Sequence, residues 1–213
     1  MSKQRHLYVV FSSTPWKMGS FIRMMTHNGY NHVAIATDPE LKTLYSFARR
    51  YCDTPFYGGF VCESAVRYRN RGHIADIKVC AVPVSEEQYR IAYNKIEEMR
   101  KNSDQFFYNM FSALVQPLKS RVRIPNAFTC VEFAVYLLAL CGACPSLEPM
   151  FTYTIRELEM YLASYVIYRG EFPKTVAKNK NDKFCEKQGL VRATRLTIAS
   201  NVRLIGAMLQ KEK

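Results

Sequence analysis

Short apolar runs predict β-strands in the first half of the chain. Residues 7–11 are apolar and partly β-branched, and residues 74–83 alternate in part before a proline stops the pattern. Between them, residues 30–37 lead into the turn signal Asp38-Pro39-Glu40, and residues 43–48 form the next run. The two runs flanking this turn predict an antiparallel hairpin.

A pair of glycines precedes the next predicted strand. Residues 54–60 have the composition of a turn, in which Gly58 and Gly59 are expected to adopt backbone angles that other residues avoid. A strand is predicted at 61–66, and a late strand at 166–170.

Helical spacing of apolar residues marks most of the other elements. Ser85 and Gln88 fit a capping box, and the apolar stripe behind them predicts a helix to about Lys101. The same spacing predicts helices at 18–26, 154–165 and 195–210, the last of them amphipathic. Residues 104–118 are rich in aromatic side chains and fit no single pattern, and the basic segment 174–189 is interpreted as mobile.

Cys130 lies where a reactive thiolate is favoured. Thr129 fits an N-cap and Glu132 its capping-box partner, which starts a helix at the cysteine, and Gly142 supplies the stop signal. The first turn of a helix has unpaired N–H groups and the positive end of the helix dipole, which favour a thiolate. The alternative is a small apolar residue buried in a core helix, the commonest role of a lone cysteine.

His32 is the candidate base for this thiol. It is the one histidine of four inside an apolar strand pattern, near the start of the first hairpin strand. A cysteine and a histidine far apart in sequence can meet in the fold, as a thiol–imidazole pair requires. The alternative is a structural histidine at a strand end.

Composition limits the class of protein. The chain has 213 residues, of which 48% are apolar, enough for one sizeable domain with a real core. No window is long and apolar enough to predict a membrane span, and the first apolar run lacks a cleavage signal, so a cytoplasmic location is expected. The seven cysteines show no disulfide framework, and Cys141-Gly-Ala-Cys144 is interpreted as structural because it follows a helix rather than starting one.

The net charge of +12 is spread along the chain. It accompanies no nucleic-acid motif, so no specific nucleic-acid partner is expected, and a solvated basic face that attracts an anionic substrate or lipid headgroup is the simplest interpretation. No metal site or cofactor is predicted, because the C-x-x-C pair lacks the further ligands of a zinc set.

The order of these elements resembles one family. A hairpin that carries His32 precedes a helix that opens with Cys130, whereas papain-fold enzymes normally place the cysteine first. This order is similar to the circularly permuted NlpC-type branch of the papain-like superfamily, which includes YiiX-like bacterial proteins and the lecithin retinol acyltransferase group. The segments that carry the resemblance are 30–36, 44–50, 56–63 and 128–134. Together they resemble a group of proteins from Gram-positive, clostridia-like bacteria.

The resemblance implies an α+β fold, with an antiparallel, barrel-like sheet packed against helices. It implies a permuted papain-like domain over residues 1–170, followed by a basic segment and an amphipathic helix over 171–213. Cys130 would be the nucleophile and His32 the base, and backbone N–H groups of the helix turn would form the oxyanion hole. Ser46 is the nearest polar residue that could orient His32, with Glu63 or the backbone as alternatives.

The predicted function is therefore a thiol hydrolase or acyltransferase that acts on an amide or ester through a Cys130 acyl-enzyme. The expected substrate is a small molecule, a peptide or a lipid, and the sequence does not distinguish among the three. The alternatives are an inactive binding module of the same fold and a basic binder of anionic ligands. The C-terminal helix is a candidate for self-association into a homo-oligomer.

Overall fold

The computed structural model describes residues 4–16, 29–54, 56–115, 120, 122–176 and 182–209. The helix predicted at 18–26 lies outside these described residues. Ten strands are found in the described ranges: β1 (Arg5–Ser12), β2 (His32–Ala36), β3 (Leu44–Arg49), β4 (Gly58–Glu63), β5 (Arg69–Asn70), β6 (His73–Ile74), β7 (Asp76–Val84), β8 (Phe107–Tyr108), β9 (Ala127–Phe128) and β10 (Val166–Glu171).

Eight of these strands form one large sheet, in the order β10-β7-β1-β2-β3-β4-β8-β9. Every neighbouring pair is antiparallel except β8 and β9, which are parallel. The predicted hairpin is confirmed, because β2 and β3 pair directly at Ile35–Tyr45 and Ala36–Leu44. The expectation of a barrel-like sheet is wrong for the described residues: β10 and β9 are edges of an open sheet, and no closed barrel is found.

The glycine pair has a different role from the one predicted. Gly58 and Gly59 lie inside β4, and neither has a positive φ angle. They are needed because neighbouring backbone lies very close to β4. A Cβ on Gly58 would lie 2.7 Å from the carbonyl oxygen of Ala48, and a Cβ on Gly59 would overlap the carbonyl oxygen of Phe106. The glycines thus let the chain before β8 come close to β4.

Five α-helices are found in the described ranges: α1 (Glu86–Lys101), α2 (Met110–Val115), α3 (Cys130–Leu140), α4 (Ile155–Tyr161) and α5 (Leu190–Leu209). The capping boxes predicted for α1 and α3 are confirmed. Helix α3 ends at Cys141, and Gly142 follows with φ 69°. Within the described ranges, no helix combines the length and the apolar character needed to cross a membrane.

Each face of the sheet buries its own core. On one face, apolar residues of β1–β4 and β7 pack against α1, α3 and α4, with Phe47, Phe60 and Phe133 in ring contact. On the other face, Tyr68 stacks on Phe172 with ring centroids 4.3 Å apart, over the alanines of β2. The result is a mixed α/β fold in which α3 packs on β2 and β3.

Part of the basic segment packs onto the sheet. Residues 182–188 of the segment 174–189, which was interpreted as mobile, take part in burial and hydrogen bonds with the rest of the chain. Phe184 is 4% exposed, its carbonyl accepts the N–H of Cys52, and its ring meets that of Trp16 edge-on at 4.9 Å. The N–H of Gln188 donates to Asp53 at 2.8 Å.

Candidate active site

His32 and Glu63 form a buried contact between two strands. His32 is the first residue of β2 and Glu63 the last of β4, so β3 lies between them in the sheet. His32 Nε2 is 2.7 Å from Glu63 Oε1, and the two side chains are 12% and 1% exposed. Water therefore screens this pair very little.

The carboxylate of Glu63 has further polar partners. The Ser46 hydroxyl donates to Oε1, the oxygen that also contacts His32, and the Tyr68 hydroxyl donates to Oε2. A buried carboxylate needs such donors, because an unpaired charge in the interior is unfavourable. Both oxygens are therefore fixed in place, which fixes the position of His32.

The pair is arranged to be ionised. Burial on its own raises the pKa of Glu63, but the charge and hydrogen bond of His32, the nearby Arg67 and the Ser46 hydroxyl outweigh it and hold that pKa well below its usual range. Burial likewise lowers the pKa of His32, but the charge of Glu63 and hydrogen bonds to Cys130 and Glu63 raise it above its usual range. At neutral pH the carboxylate is charged and the imidazole is protonated.

Cys130 is the second neighbour of the His32 ring. Its charge and its capacity to form a hydrogen bond with the ring both contribute to the raised pKa of His32, so the sulfur lies close to the imidazole. Because Nε2 contacts Glu63, Nδ1 is the ring nitrogen available to the Cys130 sulfur. The three side chains thus form a chain of contacts from thiol to imidazole to carboxylate.

The first turn of α3 holds Cys130 by its capping box. The Thr129 hydroxyl accepts the N–H of Glu132 at 3.2 Å, and the Glu132 carboxylate accepts the N–H of Thr129 at 2.7 Å. The N–H groups of Cys130 and Val131 are the two that this box does not use. Cys130 is 7% exposed, so the sulfur is held close to the protein interior.

Tyr108 is a neighbour of Cys130 that the sequence did not indicate. It belongs to β8 and pairs with Phe128, two residues before the cysteine. Burial raises its pKa, and the charges of Cys130 and Glu132 raise it further against the opposing effect of Arg49. The phenol therefore remains a hydrogen-bond donor at neutral pH.

Of the residues predicted from the sequence, Cys130 and His32 lie close together in the structure. Ser46 contacts Glu63 rather than the imidazole, so it influences His32 through the carboxylate. Tyr68 was not singled out, although it is only five residues beyond Glu63 on the short 3-10 turn Ala65–Tyr68.

The basic segment supports the loop that follows Glu63. Asp182 Oδ2 accepts the backbone N–H of Ser64 at 3.0 Å and Nε of Arg67 at 2.9 Å, and Oδ1 accepts Nη2 of Arg67 at 2.9 Å. The two charged side chains are 2% and 7% exposed. Phe184 adds a cation–π contact, with its ring 4.4 Å from the Arg67 guanidinium.

Other reactive residues lie apart from this site. Cys141 and Cys144 are free thiols, each 3% exposed, and burial raises the pKa of both. The described residues contain no group of three or more His, Cys, Asp or Glu side chains that could hold a metal ion. Cavities of about 440 and 280 Å³ lie at the start of α5 and along β4, and neither is lined by Cys130 or His32.

Comparison of the chain with protein-family models, with curated proteins and with solved structures gives no match.

Proposed function

We propose that this protein is a thiol hydrolase or acyltransferase with a permuted papain-like fold, and that Cys130, His32 and Glu63 are its nucleophile, its acid–base and its orienting carboxylate. One observation supports the proposal above all others: a single buried imidazole contacts the Glu63 carboxylate and lies beside a cysteine at a helix N-terminus. A structural cysteine in a core helix requires neither of these partners.

The reaction would proceed in two steps. The Cys130 thiolate attacks the carbonyl carbon of an amide or ester and forms an S–C bond, and the imidazolium of His32 gives its proton to the departing amine or alkoxide. Neutral His32 then takes a proton from water or from an acceptor, whose oxygen or nitrogen displaces the sulfur. Glu63 holds the ring and stabilises its protonated form in both steps.

The carbonyl oxygen becomes negative in each tetrahedral intermediate. The N–H groups of Cys130 and Val131 are positioned to stabilise that charge, because the capping box leaves them unused. The Tyr108 hydroxyl is the candidate side-chain donor, because the charge of Cys130 is among the causes that raise the pKa of this buried phenol. Removal of one such donor typically lowers the rate by a factor of about 10² to 10³.

An acyloxymethyl ketone probe, followed by peptide mapping, tests the proposal. We expect an adduct on Cys130 that is absent in Cys130→Ala and forms at least about tenfold more slowly in His32→Ala. Cys185→Ala is the matched control, because Cys185 is an exposed thiol outside the first turn of α3, and its loss should leave labelling of Cys130 unchanged.

Two outcomes would contradict the proposal. Labelling that follows thiol exposure, with Cys185 first and Cys130 as slow as the other buried cysteines, would favour the inactive binding module. Labelling of Cys130 that is unchanged in His32→Ala would remove the base from the mechanism. If the adduct forms as expected, ester and amide substrates with and without an amine acceptor distinguish transfer to water from transfer to a second molecule.

A further inference from the structure

Helix α5 presents an apolar stripe to solvent. Ile198, Val202, Ile205 and Leu209 recur every three or four residues, which places them on one face. They are between 45% and 62% exposed, and Val191, which lies two helical turns before Ile198 on the same face, is 75% exposed. Monomeric proteins rarely leave such a contiguous apolar surface uncovered, so this one marks an interaction site.

The opposite face of the helix is already used for packing. Leu204 is 1% exposed and clusters with Ile124 and Ala127, and Ser200 is 9% exposed. Among the described residues, helix α5 therefore packs along one side and exposes the apolar stripe along the other.

The charges beside the stripe are all positive. Arg192, Arg195 and Arg203 are exposed, and α5 contains no acidic residue. Among the described residues, none of the three has a carboxylate partner within salt-bridge distance. Arg192 and Arg195 also line the cavity of about 440 Å³ at the start of the helix, which gives two cations an open concave space.

We infer that α5 lies on the surface of an anionic lipid bilayer, with its apolar stripe among the acyl chains and its arginines at the headgroups. An amphipathic helix with a basic border is the arrangement that binds such a surface. A second copy of the chain fits less well, because helices paired in either direction would bring arginines together without any carboxylate to balance them. The net charge of +12 acts in the same direction.

Sedimentation with lipid vesicles tests this inference on the full chain. We expect binding to phosphatidylcholine vesicles that contain phosphatidylserine, little binding without the anionic lipid, and weaker binding as salt is raised. Val202→Asn combined with Ile205→Asn should abolish binding. Each of Arg192→Gln and Arg195→Gln should weaken it about fivefold, the factor that corresponds to about 1 kcal/mol per cation near an anionic surface.

Met160→Asn is the matched control. Met160 is 67% exposed on α4, so its replacement changes a comparable apolar side chain outside the stripe and should leave vesicle binding unchanged. The arginine variants keep the stripe intact, so they test the inference even if the asparagine variants unfold. Equal binding to neutral vesicles would overturn it, as would a stable dimer in sedimentation equilibrium that binds no vesicle and dissociates in Val202→Asn.

Discussion

Replacing Glu63 by glutamine removes the charge that keeps His32 protonated. The substitution keeps the length of the side chain and an oxygen that can accept a hydrogen bond. It leaves an imidazole that is 12% exposed without the charge of Glu63, the largest effect that raises its pKa, and burial, which lowers that pKa, then outweighs the smaller effect of Cys130 and favours the neutral ring. We therefore expect His32 in Glu63→Gln to lose its proton at neutral pH.

The expected loss of stability follows from the burial of the pair. Removing one partner of a buried ion pair typically costs about 3–5 kcal/mol, because the other charge stays uncompensated. His32 can avoid that state by releasing its proton, so we expect a value near the lower end, about 3 kcal/mol. For a domain of this size, such a loss corresponds to a decrease in Tm of about 6–12 °C.

Two measurements at neutral pH check this prediction: denaturant unfolding, and the nitrogen chemical shifts of the His32 ring. Ser46→Ala and Tyr68→Phe are matched controls, since each removes one donor to the carboxylate but keeps its charge. Each should cost about 1–3 kcal/mol and leave His32 protonated. A Glu63→Gln protein that unfolds like the wild type, with His32 still protonated, would refute the reasoning.

Three further predictions concern the surroundings of the site. Asp182→Asn should lower the free energy of unfolding by about 3 kcal/mol in denaturant titration, because it leaves the buried Arg67 without its partner; an effect below about 0.5 kcal/mol would contradict this. Gly59→Ala should destabilise by more than about 2 kcal/mol, whereas Gly206→Ala, in open space on α5, should be neutral or stabilising; equal effects of the two would be inconsistent with the close approach at β4. The buried histidine–glutamate pair should stabilise the fold most between about pH 4.5 and 6.5. The contribution of His32 is lost as pH rises through its raised pKa, and the contribution of Glu63 is lost as pH falls through its lowered pKa. A free energy of unfolding that stays constant from pH 4 to 9 would argue against the pair.

The N-terminus of α3 could be predicted because its determinants are local. Thr129 and Glu132 are three residues apart, and their reciprocal hydrogen bonds depend only on the first turn of the helix. The hairpin of β2 and β3 was equally accessible, because one short turn connects its strands. These two local predictions were enough to single out Cys130 and His32.

The partner of His32 was harder to predict because it is not local. Ser46 was favoured because it lies on β3, the strand next to His32 in sequence and in the sheet. The contact with His32 is made instead by the longer side chain of Glu63 on β4, one strand further away. The predicted strand at 61–66 also runs past Glu63, where β4 ends and a 3-10 turn brings Tyr68 to the carboxylate. Only the register of three strands and the position of that turn identify Glu63.

The glycine pair shows a similar limit. In sequence, Gly58 and Gly59 have the composition of a turn, but their role depends on how closely Ala48 and Phe106 approach β4. A glycine inside a strand often marks such a close approach, but the local sequence did not show that these two glycines belong to a strand.

The rate of iodoacetamide alkylation at Cys130, compared between the wild type and His32→Ala at neutral pH, tests the central claim most directly. The reagent is small enough for a thiol that is 7% exposed, and peptide mapping separates Cys130 from the other cysteines. If His32 activates the sulfur, Cys130 in His32→Ala should be alkylated at least about tenfold more slowly than in the wild type, whereas the exposed Cys185 should react at the same rate in both proteins. Equal rates at Cys130 in the two proteins would contradict the catalytic assignment.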